Sequence, residues 1–416
     1  MTNYIVWAVV LLGTTAQAQD TLSVSLRQAD SVFLQRNLLA LAGRYQIEAT
    51  QAQVIQARLL DNPTVNVELN AYNPALHRPL DVGGQGQKAF SIQQTILLAG
   101  KRNKRVAVAT EQARLTELQF TDLLRTLRFE LRSRFYDVYF TQNTLREYIN
   151  QRARLTETIR AFERQYNRNN VALRELVRLK ALLLQLNNDQ LDLQNQLTEH
   201  QRDLRTLLQT TAVIRPLTSE ADLNRYKTAL PPLDQAVNAA FDNRPDLRGA
   251  ETLVRQADAN IALQKALATP DIRVGGLYDQ NASYTPNYTA VTVSMDLPVL
   301  NKNQGNIRSA RAQADYQRLV QRNARVAVEN EVQAALQRIR QTEAAYQAID
   351  PSFSAQFDDL NLGVLRNFER GNLSLIEFVD LFETYLENVQ QLNRLNADRI
   401  NAYEQLNFTV GIDLFK

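Results

Sequence analysis

The chain has 416 residues, with 47 lysines and arginines against 44 aspartates and glutamates, two histidines and no cysteine. Without cysteine there are no disulfides, thiolate metal sites or thiol nucleophiles, and two histidines leave little for an imidazole cage. A net charge of +3, with acids and bases mixed along the chain, gives no electrostatic footprint for nucleic acid, and no such partner is expected.

In chain order, residues 5–13 form a short apolar run, and Ala16-Gln17-Ala18 is a small-x-small cleavage signal before Gln19. A cleaved signal peptide over residues 1–18 is the expectation, because a membrane-spanning helix needs ~18 consecutive apolar residues. No internal stretch approaches that length, which excludes a polytopic helical membrane protein. Residues 26–60 read as one helix that stops at Asn62-Pro63, since the residue before proline is pushed out of the α region. Residues 64–72 then alternate, with Val65, Val67, Leu69 and Ala71 on one face and Asn66, Glu68, Asn70 and Tyr72 on the other. A loop over 73–87 leads to a second strand, 88–96, with Phe90 and Ile92 on its apolar face. In that loop Gly83-Gly84-Gln85-Gly86 has neither the spacing nor the following helix of a phosphate loop.

From Lys101 to Arg215 there is neither glycine nor proline, and Leu124, Leu127, Leu131, Phe135, Val138, Leu145 and Ile149 recur at steps of three, four and seven. This spacing predicts an amphipathic helix of coiled-coil type, about 65 residues and roughly 100 Å long if it spans 101–165. A turn at 168–171 sends the chain back through a helix over 172–209 of about 57 Å. The helix 26–60 has nearly the missing length and is predicted to stack end-on above the return helix.

The pattern then repeats. Residues 26–63 lie on 233–270 at a constant offset of 207, and at an offset of 202 Tyr166-Asn167-Arg168-Asn169-Asn170-Val171 falls on Phe368-Glu369-Arg370-Gly371-Asn372-Leu373, with Glu175 on Glu377. The strand over 271–278 is blurred by Gly275-Gly276, whereas 289–297 alternates cleanly. A unit of about 200 residues is far longer than a solenoid repeat, so this is a duplicated half-molecule. The expected domains are 19–210 and 233–407, with 211–232 as linker and 408–416 as a terminal segment, the last two forming a collar. Pro351 interrupts the second long helix before its tip, where the first half has Ile149, and is the expected hinge.

Four strands with one apolar face cannot close a barrel, and in lipid every backbone polar group must be paired. Three chains pooling their strands would make a barrel of about twelve, with the helical hairpins as a second barrel beneath. The expected fold is therefore mainly α with a membrane β-barrel. The alternative of another class is a periplasmic coiled-coil structural or adaptor protein, which would need no lipid-facing apolar band.

Several strings carry a resemblance: Asn243-Arg244-Pro245-Asp246-Leu247, Ala268-Thr269-Pro270-Asp271-Ile272, Asp296-Leu297-Pro298-Val299 and Asn303-Gln304-Gly305-Asn306. In this order and spacing the chain resembles the TolC-type outer membrane factors. Ala99-Gly100-Lys101-Arg102 with Arg105 is similar to the heavy-metal-efflux branch of that family. The resemblance implies a homotrimer without cofactor or catalytic activity, set in outer-membrane lipid. Its implied partners are a periplasmic adaptor and an inner-membrane pump of the resistance-nodulation-division type, and its cargo metal cations, or alternatively drugs or secreted proteins.

The resemblance also implies site residues. Adaptor-binding tips would be Arg168, Asn169, Asn170 and Val171 on one turn and Arg370, Gly371, Asn372, Leu373 and Ser374 on the other. Glu175, Glu377 and Asp380 would form a pore constriction, and Asn66, Glu68, Asn70, Thr292 and Ser294 the barrel lumen. Phe368 and Leu373 replace the family's tip tyrosine and arginine, which removes its polar latch.

Overall fold

The computed structural model describes residues 20–84, 86–283, 285–349, 363–364, 366–368 and 370–415. The expected signal segment and Pro351 lie outside them. In chain order the first half comprises β1 (Thr21–Ser25), α1 (Leu26–Arg36), α2 (Leu38–Arg58), β2 (Thr64–Leu69), the short β3 (Tyr72–Asn73) and β4 (Arg78–Pro79), β5 (Lys88–Ile96), α3 (Lys101–Tyr166) and α4 (Leu173–Leu208). There follow β6 (Val213–Leu217), α5 (Glu220–Asn224), α6 (Leu233–Asn243), α7 (Pro245–Leu267), β7 (Ile272–Asn281), β8 (Pro286–Met295), α8 (Gln304–Gln347) and α9 (Leu375–Val410). Among the described residues no helix is long and apolar enough to cross a membrane.

The helix expected over 26–60 is two helices. It breaks at Asn37 (φ −63°, ψ 119°), whose carboxamide caps α2 by accepting from the Ala40 amide at 3.0 Å. The same carboxamide donates to the Leu207 carbonyl at 3.0 Å, near the end of α4. Thus α2 and α4 meet end to end along α3. The second half breaks 207 residues later, at Arg244 (φ −68°, ψ 119°), where Pro245 opens α7. The buried Arg244 pairs with Asp246 and Glu331 and donates to the Thr409 carbonyl at 3.3 Å, near the end of α9. The helix ends facing these breaks also match. Gln209 (φ 52°) follows α4, and Gly411 (φ 83°) follows α9, with Arg244 backbone 3.3 Å from where a Cβ would stand.

The two strand pairs join into one antiparallel sheet in the order β2-β5-β7-β8. Its register sets Val65 beside Ile92, Ile92 beside Gly276 and Gly276 beside Val291; Val67, Phe90 and Tyr278 form the next row. One face is therefore largely apolar, interrupted by Lys88, Gln94 and Thr289, and it is exposed, with Val65 at 62%, Val291 at 81% and Val293 at 68%. Gly275 lies on the opposite face, where a Cβ would come within 2.5 Å of the Ile92 carbonyl and 2.9 Å of Thr292 Oγ1. Close approach explains this glycine.

The main core lies at the equator, where α1, α3, α4, α6, α8 and α9 meet around Phe33, Phe135, Tyr136, Ile214, Tyr226, Val332 and Tyr403. Here the sequence reading missed a second sheet: β1 and β6 pair in parallel, Thr21 with Val213 through Ser25 with Leu217. The interior is also polar. Glu404, 2% exposed, accepts from Tyr226 (2.5 Å), Arg225 (3.2 Å) and Arg132 (3.1 Å). Arg132 reaches Asp413 at 2.7 Å and Asp30 at 3.5 Å as well, so one guanidinium on α3 ties down both α1 and the chain's last turn. Burial works against ionised Asp413, yet the Arg132 guanidinium holds its carboxyl below the usual range. Replacing Arg132 by methionine takes from buried Glu404 one of its two cations and from Asp413 its ion pair, and the expected loss is about 3–5 kcal/mol. A thermal unfolding midpoint within a degree of wild type would disprove that role.

Candidate functional site

Three surfaces bear on function: the polar face of the sheet, the junction of sheet and helices, and the two helical tips. On the sheet, Asn66 and Glu68 share one face with Ser91, Gln93, Arg273, Asp279, Thr292 and Ser294. Asn66 donates to Ser91 Oγ at 3.3 Å. Asn70 differs from expectation: it lies past the end of β2, where its side chain accepts from the Tyr72 amide at 3.1 Å.

At the junction, Gly100 (φ 66°) turns the chain from β5 into α3, and Asn303 (φ 59°) does the same before α8. Lys101 is 3% exposed and pairs with Asp271 at 2.6 Å, while Asp271 also accepts from the Leu98 amide at 2.9 Å. This lysine is a strut between α3 and β7. Arg102 beside it stays exposed.

The tips are built alike. After α3 the Asn170 amide donates to Gln165 and the Asn169 amide to Tyr166, with Asn169 left-handed at φ 60°. After the second arm Asn372 donates to Asn367 and Gly371 to Phe368, with Gly371 at φ 76°. Both are six-to-one and five-to-two closures around a left-handed residue, the Schellman arrangement. The helix starts beyond these turns differ. Ser374 caps α9, its hydroxyl accepting from the Glu377 amide at 3.3 Å while the Glu377 carboxylate accepts from Ser374 N at 2.9 Å and Oγ at 2.7 Å. Ala172 stands at the equivalent place before α4 and offers no such cap.

Behind the tips lies a second apolar cluster from α3, α4, α9 and residues 364 and 368. Phe368 is buried in it, stacked on Phe162 (5.0 Å, 9°) and Phe378 (4.1 Å, 12°). Glu175, Glu377 and Asp380 all lie just beyond the turns, Glu175 half-buried and the other two exposed. Among the described residues no group of three or more histidines, aspartates or glutamates could hold a metal ion.

Comparison with known proteins fits this geometry. Residues 236–411 match the family model for outer membrane efflux protein. The chain is 19% identical over 368 residues to the cobalt-zinc-cadmium resistance protein CzcC of Cupriavidus metallidurans, covering 88% of this chain and 84% of that one. Its fold superimposes on CusC, a transmembrane channel, with a TM-score of 0.74 at 15% identity, covering 93% of this chain and 92% of the other. The CmeC outer membrane channel of Campylobacter jejuni gives 0.74 at 13% identity, with 93% and 85% covered. The chain is similar in sequence and fold to outer membrane efflux proteins.

Among outer membrane efflux proteins, channels work with an adaptor and an inner-membrane pump. The structure gives physical reasons for the family strings. Arg244, Pro245 and Asp246 make the helix break and its ion pair, Asp271 holds Lys101, and Asn303 donates from its side chain to the Gln264 carbonyl at 2.7 Å. Phe368, in the place of the tip tyrosine, is spent on packing between helices. Truncating Phe368 to alanine should cost about 3–5 kcal/mol and open the tips, read as faster limited proteolysis near residues 165–175. Unchanged cleavage would mean that the stack carries no tip stability. Glu377 gives a separate expectation. The amide and hydroxyl of Ser374 hold its carboxyl below the ordinary value of 4.5, so the cap contributes fully above that pH and fades as pH falls through the lowered value. Acid-dependent cleavage near residue 374 should therefore be present in wild type and absent in Ser374→Ala, which is cleaved at every pH.

Proposed function

We infer that three copies of this chain form a passive outer-membrane exit duct, fed by an inner-membrane pump through a periplasmic adaptor. The observation that carries the reading is the sheet: an exposed apolar face, a polar reverse and two open edges. Ten-residue strands such as β7 and β8 have the length of membrane-spanning barrel strands. Three such sheets edge to edge would make twelve strands with no free edge. The helices support the same assembly, because Val177, Leu184 and Leu191 stand exposed at heptad spacing on α4, a seam that fits a helix of another copy. Residues 211–232 and 408–416 would then form a collar at the equator.

In this assembly Asn66, Glu68, Thr292 and Ser294 line a wet lumen, with Asn70 near its outer end. Threefold symmetry turns Glu175, Glu377 and Asp380 into rings of carboxylates at the periplasmic mouth, which concentrate cations there. The tips from Arg168 to Val171 and from Arg370 to Ser374 meet the adaptor, and its engagement widens the mouth. Metal cations are the proposed cargo, supported by the likeness to a cobalt-zinc-cadmium resistance protein and by the acidic mouth. The pump would be of the resistance-nodulation-division type.

Protein extracted from outer membranes in mild detergent should have the mass of three chains and form pores in planar bilayers. The triple variant Glu175→Gln, Glu377→Gln, Asp380→Asn should lower cation-over-anion selectivity severalfold with trimers intact. Pores of unchanged selectivity would make these acids a solvated surface. A monomer recovered without detergent would end the duct reading and favour a periplasmic coiled-coil protein.

A further inference from the structure

Charge is concentrated where the sheet meets the helices. Residues 58–63, 97–110, 260–273 and 295–311 flank that end of the sheet and hold ten lysines and arginines against three aspartates. The chain as a whole has a net charge of only +3, so the rest of the molecule is net negative. Each of the three aspartates is answered by one base: Asp61 by Arg105 at 3.8 Å, Asp271 by Lys101 at 2.6 Å, and Asp296 by Arg273. Lys104 donates to the Ala99 carbonyl. Arg58, Arg102, Lys265, Lys302, Arg308 and Arg311 are exposed, and none of them forms an ion pair among the described residues.

Bare apolar residues stand among these bases. The last row of the sheet's apolar face is Ile96, Ile272 and Met295. Leu297 carries the period-two series one step past β8 and is exposed, and Leu300 is 90% exposed. At the opposite edge Leu59 and Leu60 are exposed as well, directly after Arg58, just as Lys302 follows Val299 and Leu300. Water penalises such leucines, whereas a bilayer surface takes leucine on its acyl side and lysine or arginine at its headgroups. The depth agrees. Ten residues of β7 or β8 rise roughly 34 Å, or about 26 Å at a tilt of ~40°, which matches the apolar band of a membrane barrel. The helix end of the sheet then falls at the bilayer surface, and the six bases lie within about two helical turns of it, or ~11 Å. Turned to the lumen instead, the same charges would oppose a cationic cargo.

We propose that this collar is a binding site for anionic phospholipid in the leaflet that faces the periplasm; this rests on the duct reading above. The exposed leucines enter the acyl region, and the guanidinium and ammonium groups hold the lipid phosphates. The helices pack in the order α2, α3, α7, α8, the same as their strands. In a trimer Arg58 of one copy therefore meets Lys302 and Arg308 of the next, with Arg102 and Lys265 on the inner helices between seams. Like charges facing each other across a seam repel unless an anion lies between them. A lipid phosphate is that anion, and it joins two copies at each of three seams.

The test counts lipids retained by the purified full-length trimer, by native mass spectrometry after release from micelles of phosphatidylglycerol and phosphatidylcholine in equal parts. Wild type should retain phosphatidylglycerol over phosphatidylcholine by at least about threefold, and lose the preference in about 1 M salt. The variant Arg58→Gln, Arg102→Gln, Lys302→Gln, Arg308→Gln should retain the two lipids equally. Arg160→Gln, Arg164→Gln, Arg174→Gln, Arg178→Gln, which removes as many charges far from the sheet, should keep the wild-type preference. Should the first variant fail to assemble, Arg102→Gln, Lys265→Gln leaves the seams untouched and should lower the preference by about half. Three outcomes overturn the proposal: no preference in wild type, a preference unchanged in the collar variants, or complete displacement of the lipid by millimolar inorganic phosphate. The last would make the collar a site for free phosphate. Wild-type trimers that conduct normally without any lipid preference would sink this proposal alone, whereas protein that makes no pores at all would sink the duct reading and this proposal with it.

Discussion

A sheet of four strands with one apolar face and two open edges cannot be satisfied within a single chain. Water penalises the face, and lipid penalises the edges, because an unpaired N–H or C=O in hydrocarbon costs several kcal/mol. The proposed closure on further copies would answer both. The order β2-β5-β7-β8 suits it, since each half supplies an antiparallel pair and the count per chain is even. A neighbour's β2 can then lie antiparallel to β8 with no break in alternation, and the largely apolar face stays on the outside. Each strand pair continues into a rod, so closing the sheet also fixes how the helices stand around the same axis.

The rods keep their register through specific devices that recur in both halves. Gly100 and Asn303 turn the chain from strand into helix in left-handed conformations. Asn37 and Arg244 break the upper helices and seize the carbonyls of Leu207 and Thr409. These contacts let a short helix stack on another along one continuous α3, so a 66-residue helix is covered along its length by pieces no longer than 36. Arg132 and Glu404 then lock the equator, with α1, α3, α9 and the last turn gathered on one buried ionic network. Such a network is a weak source of net stability but a strong penalty on any arrangement that breaks it.

Much of this was legible in the residues because the signals were local. Alternation in 64–72 and 88–96, the long stretch without glycine or proline, and the 207- and 202-residue offsets gave strands, rods and duplication directly. The helix breaks were harder. Asn37 sits in a run that is helical in period on both sides, and only the partner carbonyl of Leu207, 170 residues away, makes the break worthwhile. Pro245 was a visible signal for the second break, and the offset could have carried it back to Asn37. The strands β1 and β6 are five residues each and pair in parallel across the whole first half, which no short-range pattern reports. Glu404 and Arg132 read as charges on amphipathic helices, where most charges are solvated; their burial follows from a fold that the periodicity alone does not specify. At the sites, the acids and tips could be named from the repeat and the resemblance, while the cap that ties Glu377 to Ser374 and the packing of Phe368 are tertiary facts.

The same layout limits where a duct of this kind can open. The four strands of the sheet are held by continuous ladders, and the equator by buried ion pairs that cannot part without leaving a charge unpaired. The cluster behind the tips is of another kind: Phe162, Phe368, Phe378 and Phe382 meet through ring faces and edges, with no buried ion pair among them. Apolar surfaces can slide by a rotamer and remain in contact, so displacement there costs less than at the equator. The two arms are not equal in this respect. The second carries a capping box that the first lacks. In a threefold assembly these unlike arms would alternate around the mouth, and any widening would begin where helix ends are least tied, with the barrel and the equator as its fixed frame.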